Sequence, residues 1–495
     1  MISTSEDTRR PGATETLARS PGEDDLARLP ATALLAGYRA GRFTPTDAVE
    51  AVITALGRAD AACNVVVTDT YAAARAAAAA ATEDWRAGRA DGALAGVPVT
   101  IKDLVYVAGV PAQGGAPALA GFVPDADAAV VSSLKAAGAI VTCKTTTCES
   151  GYKLTADSPL TGITRNPWHL GRTSGGSSGG AAAAVAAGCG PLAIGTDGVG
   201  SIRVPSSFCG VFGIKPTFGL VPRSPGFSPP SWASLAHTGP IARTVADAAL
   251  LLGIIGGQDL RDGASLPLAP RGYDAAPGRL EGLRIAASPD LGYAAVDPDV
   301  RAAFLAAVDD LADLGAAVTA DHPGLDPDVL DRVLKPIAYT EQAAAVAGRD
   351  DALLALSEPE YAAMIEAGRR YSGTDYIAAT YRRAALRARF LALFARVDVL
   401  VTPTVAVTAF PAGTLGAGEI DGRAVDPHLG WSPFTWPINL AGLPAATVPC
   451  GFDRDGLPIG LQIVAPWLGE AAILRVAAAF EAARPWHDRW PTLAG

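Results

Sequence analysis

The chain has 495 residues, 49% hydrophobic and 18% charged, with a formal net charge of −10. That is too apolar for a disordered chain and ample for a large core. The acidic balance, with no basic patch, speaks against a nucleic-acid partner, and no apolar run approaches the roughly 18 residues of a membrane span.

Residues 1–24 are polar and read as a disordered tail. The opening MISTSEDTRRPG has an Arg pair but no apolar stretch after it, so it does not read as a signal peptide, and the expectation is a cytoplasmic protein. From Leu26 the pattern turns helical. Thr44-Pro45 caps an amphipathic helix in FTPTDAVEAVITALGRAD, and TYAAARAAAAAATEDWRAG is an Ala-rich second one. Then GVPVTIKDLV and AGAIVTCKT, short β-branched runs bounded by Gly, predict buried strands around the helix DAAVVSSLKAAG. The alternation continues through GPLAIGTDG, FGIKPTFGLV and the helix TVADAALLLGIIGG. This is an α/β pattern with helices on both faces of a sheet.

Residues 257–283, rich in Pro, Gly and Asp, predict a long connection. LRIAAS is a strand and VRAAFLAAVDDLADLG an amphipathic helix, and residues 325–395 read as mostly helical. VDVLVTPTVAV returns to strand. The Gly/Pro-rich segment Phe410–Thr435 is long for a loop, which predicts that it covers a site. AATVPCGF and IGLQIVAP are strands, and GEAAILRVAAAFEAARP closes the chain as a helix. The six cysteines are scattered without a CxxC pair and predict reduced core residues.

The chemistry concentrates between Gly171 and Gly210. Ser177 sits in GGSSGG, and Ser201 lies 24 residues on in GTDGVGSIRVP. Glycine-rich turns let backbone N–H groups of Gly198, Val199 and Gly200 converge on one oxygen atom beside a nucleophile. Nucleotide readings fail on residue identity. GxxxxGK[ST] needs a Lys that this run lacks, and GVGSIR puts Arg203 where GxGxxG needs its third Gly.

A serine nucleophile needs a base. None of the five histidines stands in a Ser-His-Asp setting. His237 in SLAHTGP is the best placed and reads as structural, and no HExxH pair suggests a metal. The chain has only six lysines among 40 cationic residues, and Lys102 lies in the nearly charge-free run AGVPVTIKDLVYVAG. One reading pairs it with Asp103. The other keeps it desolvated and neutral near pH 7, able to take a serine's proton through a second serine.

Together these residues resemble the amidase signature family of serine hydrolases. Lys102 in GVPVTIKDL, Ser177 in GGSSGGAAAAVAAG and Ser201 in GTDGVGSIRVPSSFCGVFGIKPTFGLVP match its three catalytic elements in order, at spacings of 75 and 24 residues. GITRNPWHLGR, SLAHTGPIARTVADAALLL and NLAGLPAATVPCGFDRDGLPIGLQIVAP match as well, so the resemblance spans roughly residues 30–490. It implies one large α/β/α domain over residues 25–495, with a central twisted mixed sheet covered by helices on both faces. Its core segments would be about 60–255 and 395–490, with a largely helical substrate-side region at about 290–395.

The resemblance also implies roles. Ser201 becomes the acylated nucleophile, Ser177 the bridging serine on a cis peptide after Gly176, and Lys102 the general base and then acid. Ser178 and Arg203 support the triad, and Asp197 orders the oxyanion turn. Gly151, Tyr152 and Lys153 fall on the acyl-side wall, Gly176 is expected to contact the substrate, and the aromatic run with Trp431, Phe434 and Trp436 is expected to form another wall. Where relatives often carry Thr-Gly-Gly, this chain has Gly198-Val199-Gly200. A positive φ demanded of Val199 would distort the oxyanion hole.

The implied activity is hydrolysis of a carbon–nitrogen amide bond of an uncharged, fairly hydrophobic small molecule through an acyl-enzyme. Esters, anilides and carbamates are open to the same chemistry. No metal or cofactor is implied, and the chain is expected to work as a monomer or homodimer. The alternatives are an amidotransferase A-type subunit that draws ammonia from glutamine and a non-catalytic binding relative.

Overall fold

A computed structural model describes residues 23–226, 234–348 and 354–493. The predicted tail, 1–24, lies outside the described residues except for its last two, which open a short helix, Glu23–Arg28.

An eleven-stranded mixed sheet forms the centre among the described residues. In chain order its strands are β1 (Val66–Asp69), β2 (Pro98–Lys102), β3 (Ile140–Thr145), β4 (Leu192–Asp197), β5 (Phe212–Lys215), β6 (His237–Ala242), β7 (Arg284–Ala287), β8 (Ala317–Ala320), β9 (Val399–Pro403), β10 (Ala445–Phe452) and β11 (Pro458–Val464). Across the sheet they run β1-β3-β2-β4-β6-β5-β10-β11-β9-β7-β8. β2 is parallel to β3 and β4, while β6 is antiparallel to β4. The expected α/β architecture is present. Strands from both ends of the chain join one sheet, and the runs of Val, Ile, Leu and Ala in its central strands are buried.

The sequence reading missed β1, whose residues are only partly buried, β6, whose HTGPIA mixes Gly and Pro with polar residues, and β8. The residues of β8 are mostly exposed at the sheet edge, so no apolar run marks it. It lies inside the region expected to be largely helical. There the helices are α7 (Pro298–Asp313), α8 (Lys335–Ala345), α9 (Pro359–Arg370) and α10 (Gly373–Phe394). After the helices Glu23–Arg28 and Ala31–Arg39, the earlier helices are α1 (Pro45–Cys63), α2 (Tyr71–Arg86), α3 (Ala129–Ala136), α4 (Gly179–Ala186), α5 (Arg203–Cys209) and α6 (Val245–Ile255), and the last two are α11 (Trp436–Ala441) and α12 (Glu470–Ala483). All six cysteines are buried and unpaired, as expected.

One part of this frame positions the chemistry. β2 and β4 run parallel, so their carboxyl ends, Lys102 and Asp197, open on the same edge. Against this strand pair packs α4, whose sequence GGAAAAVA has no side chain larger than Val and is buried on every face. Small side chains let it sit against β2, β4, β6 and α5. Its N-terminus carries Ser177 and Ser178 to that same edge, and Ser201 stands two residues before α5.

Candidate active site

Lys102 is fully buried. Its Nζ lies 2.7 Å from Ser177 Oγ, 3.0 Å from Ser178 Oγ and 2.8 Å from Thr196 Oγ1. These three closest partners are all hydroxyls, with the Thr196 carbonyl farther off at 3.4 Å. Asp103, its neighbour in sequence, points elsewhere. In the β2–β3 register Ile101 is opposite Lys144 and Lys102 opposite Thr145, so Lys102 and Lys144 project from opposite faces of the sheet. Asp103 shares the parity of Ile101 and accepts from Lys144 Nζ at 3.0 Å. Its other oxygen accepts from the N–H groups of Gln113 and Gly114, at 3.0 and 2.8 Å. The simple pairing of Lys102 with Asp103 is thereby excluded. Left without a carboxylate, Lys102 is pushed by burial down to about 7.

Ser178 stitches the serine loops together. Its N–H donates to the Ser201 carbonyl at 3.1 Å, and its hydroxyl donates to the Thr196 carbonyl at 3.0 Å. The Gly176–Ser177 peptide is cis, as the resemblance implied. Ser177 and Ser201 both face one cavity of about 560 Å³.

The turn before Ser201 is organised by Asp197. Its carboxylate accepts from the N–H of Gly200 at 2.7 Å and of Ile202 at 3.2 Å. Arg203, fully buried, forks onto both oxygens at 3.0 Å and reaches Gln462 Oε1 at 2.7 Å and the Thr435 carbonyl at 3.0 Å. Burial works to raise the Asp197 carboxyl, but the Arg203 pair outweighs it and holds the group below the usual carboxylate range. Positive φ falls on Gly200, at 138°, and not on Val199, so valine is no obstacle. One expectation changes. The Gly200 N–H is spent on Asp197, and the unpartnered N–H groups of the turn among the described residues are those of Gly198, Val199 and Ser201.

His237 lines the cavity but makes no hydrogen bond to either serine among the described residues. Its Nδ1 donates to the Asp197 carbonyl at 3.2 Å, and burial holds the ring well below its ordinary pKa, hence neutral.

The expected substrate contacts separate. Gly151 does line the cavity, at φ 70°, and a Cβ there would meet Leu104 at 2.8 Å and Ser177 Oγ at 3.3 Å. Gly176 does not, being packed on the Thr155 backbone. Tyr152 is 1% exposed, with its hydroxyl on Glu358. Trp431 is 0% exposed and packs on Phe208 and Phe410, while its Nε1 donates to the Pro427 carbonyl. Phe434 and Trp436 are likewise core residues. Aromatic rings in a Gly/Pro-rich segment look alike in sequence whether they face a ligand or a core. Segment 410–435 does not cover the cavity; it braces the turn, with Thr435 Oγ1 donating to the Val199 carbonyl at 2.6 Å.

The walls come largely from residues that the sequence reading passed over. Leu104, Val105 and Tyr106 follow β2, and Val130 belongs to α3. Arg223, Arg261 and Asp262 add charge, the last two from the connection 257–283. Only their place after the lysine strand, or within a long loop, hinted at them.

The model of the amidase family matches residues 47–474. An acylamidase from Rhodococcus erythropolis is 38% identical over 488 residues, covering 95% of this chain and 98% of that protein. A glutamyl-tRNA(Gln) amidotransferase chain from Chloroflexus aurantiacus is 36% identical over 495 residues, covering 95% of this chain and 99% of that one. Among solved structures, a bacterial aryl acylamidase of the amidase signature family superposes with a TM-score of 0.86 at 29% identity, over 92% of this chain and 96% of that one. The chain belongs to the amidase family. It is a hydrolase acting on amide bonds.

Proposed function

We propose that Lys102, Ser177 and Ser201 form one proton path and that the enzyme hydrolyses uncharged, fairly hydrophobic acyl amides through a Ser201 acyl-enzyme. The observation that carries this is Lys102 Nζ, buried, 2.7 Å from Ser177 Oγ and held among hydroxyls. A neutral amine there accepts the Ser177 proton, and Ser177 takes the Ser201 proton as Ser201 Oγ bonds to the amide carbon. The N–H groups of Gly198, Val199 and Ser201 receive the oxyanion. Collapse breaks the C–N bond, and the proton returns from Lys102 through Ser177 to the leaving amine. Water then attacks the acyl-enzyme by the same relay in reverse and releases the carboxylic acid. Asp197, Arg203 and Ser178 hold the turn and the loops in register.

The substrate class rests on the apolar walls at Leu104, Val105, Tyr106 and Val130 and on the likeness to acylamidases. A hydrolysis screen of acyl anilides, aliphatic amides and aryl carbamates tests it. Activity confined to small polar amides would sink it. Charged groups at the same cavity, together with the likeness to glutamyl-tRNA(Gln) amidotransferase chains, favour a second reading, glutamine hydrolysis in a larger complex. That reading requires ammonia release from glutamine, which the first does not.

A further inference from the structure

We propose that Glu358 is a positioning residue for this reaction, fixing through Tyr152 and Lys153 the distance between the Ser150–Gly151 wall of the cavity and Ser177. The proposal rests on the reading of Ser177 as the relay serine.

The wall is a short turn, Glu149–Gly151, in which two consecutive residues are left-handed, Ser150 at φ 52° and Gly151 at φ 70°. A non-glycine residue in that region costs energy and persists where its surroundings hold it. Inside the turn, the Ser150 N–H donates to the Gly114 carbonyl at 2.8 Å. The flanks are held by residues 357 and 358. At the start of the turn, the Glu149 carboxylate accepts from Ser357 Oγ at 2.7 Å and from the Glu358 N–H at 3.0 Å. Behind it, Glu358 Oε2 accepts from the Tyr152 hydroxyl at 2.5 Å and pairs with Lys153 Nζ at 2.7 Å. Glu358 sits directly before α9, so the wall is gripped on both sides by the entrance to one helix.

The Tyr152 carbonyl is held as well. A carbonyl can only accept, so His428 Nε2 donates to it at 3.3 Å, and His428 Nδ1 accepts from the Tyr339 hydroxyl of α8 at 3.1 Å. Burial keeps that ring neutral, pushed down to about 4. Two helices far from the nucleophile in sequence thus fix one loop. The clearance they guard is small. A methyl group added at Gly151 would stand 3.3 Å from Ser177 Oγ, tighter than ordinary contact, so a shift of a few tenths of an ångström there alters the space beside the relay. Tyr152 therefore acts on substrate through the wall and does not touch it.

The test uses the full chain and the rate constants for labelling Ser201 with a methyl and an octyl fluorophosphonate. Tyr152→Phe removes one hydrogen bond and keeps the ring against Tyr361, 5.0 Å away. Glu358→Ala removes both anchors, and Glu358→Gln keeps an acceptor for Tyr152. The small-to-large rate ratio is expected to move about tenfold in Tyr152→Phe and Glu358→Ala, with Glu358→Gln closer to wild type. Partial unfolding lowers the labelled fraction but not that ratio. A ratio unchanged in Tyr152→Phe, with wild type labelled at Ser201, overturns this proposal alone. Failure of wild type to label at Ser201 overturns the triad reading and this proposal with it.

Discussion

Two buried lysines stand one strand apart, and they are opposite kinds of object. Lys144 has a carboxylate: Asp103 meets it at 3.0 Å, and both side chains are wholly buried. Lys102 has no carboxylate, and its close partners are the hydroxyls of Ser177, Ser178 and Thr196. The difference comes from the pleat. Asp103 follows Lys102 in sequence, but alternation sends it to the face that Lys144 occupies. The same alternation thus builds an ion pair on one face and leaves an amine among hydroxyls on the other. In the proposed mechanism, catalysis needs an amine denied a carboxylate as much as it needs a nucleophile.

The largest effect that can test this contrast is removal of the nucleophile. Ser201→Ala is expected to lower kcat by roughly five to six orders of magnitude, since a relay without its end has no chemistry. Turnover near wild type, measured on any amide that the enzyme accepts, would end the assignment. Lys102→Ala comes next, with a loss of several orders, because the attack needs a proton acceptor there and the departing amine needs that proton back. The pH profile separates it from Lys144. With Lys102 pushed down to about 7, it is protonated and idle below that pH and neutral above it, so kcat/KM should rise through about pH 7 in wild type. A profile that keeps this limb in Lys102→Ala would assign it to another group.

Lys144→Ala should act differently. It leaves Asp103 buried without its cation, a loss of about 3–5 kcal/mol read as a lower urea midpoint, while the folded enzyme keeps its rise with pH. If instead the limb disappears, the two lysines share one function and the contrast fails. Smallest of all is Val199→Gly. Since the positive φ belongs to Gly200 and the Val199 N–H is kept, kcat should stay within about twofold of wild type, and the loss of a buried core side chain should be read as lower stability instead. A large gain in kcat would mean that valine distorts the oxyanion turn after all.

Much of this was legible in the sequence, for reasons that differ by region. The α/β pattern showed because most buried strands are runs of Val, Ile and Ala; β8 stayed hidden because an exposed edge strand need not be one, and β6 because its buried HTGPIA is broken by Gly and Pro. Lys102, Ser177 and Ser201 stood out only together, through their order and their spacings of 75 and 24 residues in the resemblance to the amidase signature family, since each alone reads as a turn or strand-end residue. Parity could have told which lysine Asp103 serves, had the strand register been known. Trp431 and Tyr152 misled because burial is a property of the packed chain and not of the residue. Glu358 was invisible, since its 206-residue separation from Tyr152 leaves no local trace.

The smallness of α4 sets a boundary on how this enzyme can change. A Cβ at Gly179 would fall 2.4 Å from Ala156, and one at Gly180 would fall 2.2 Å from Thr146 Oγ1. Heritable variation along this helix is therefore closed off by contact. A library built to alter the range of amides accepted will find its surviving members in the loops at Leu104–Tyr106 and Arg261–Ala264, and in the helices behind Tyr152.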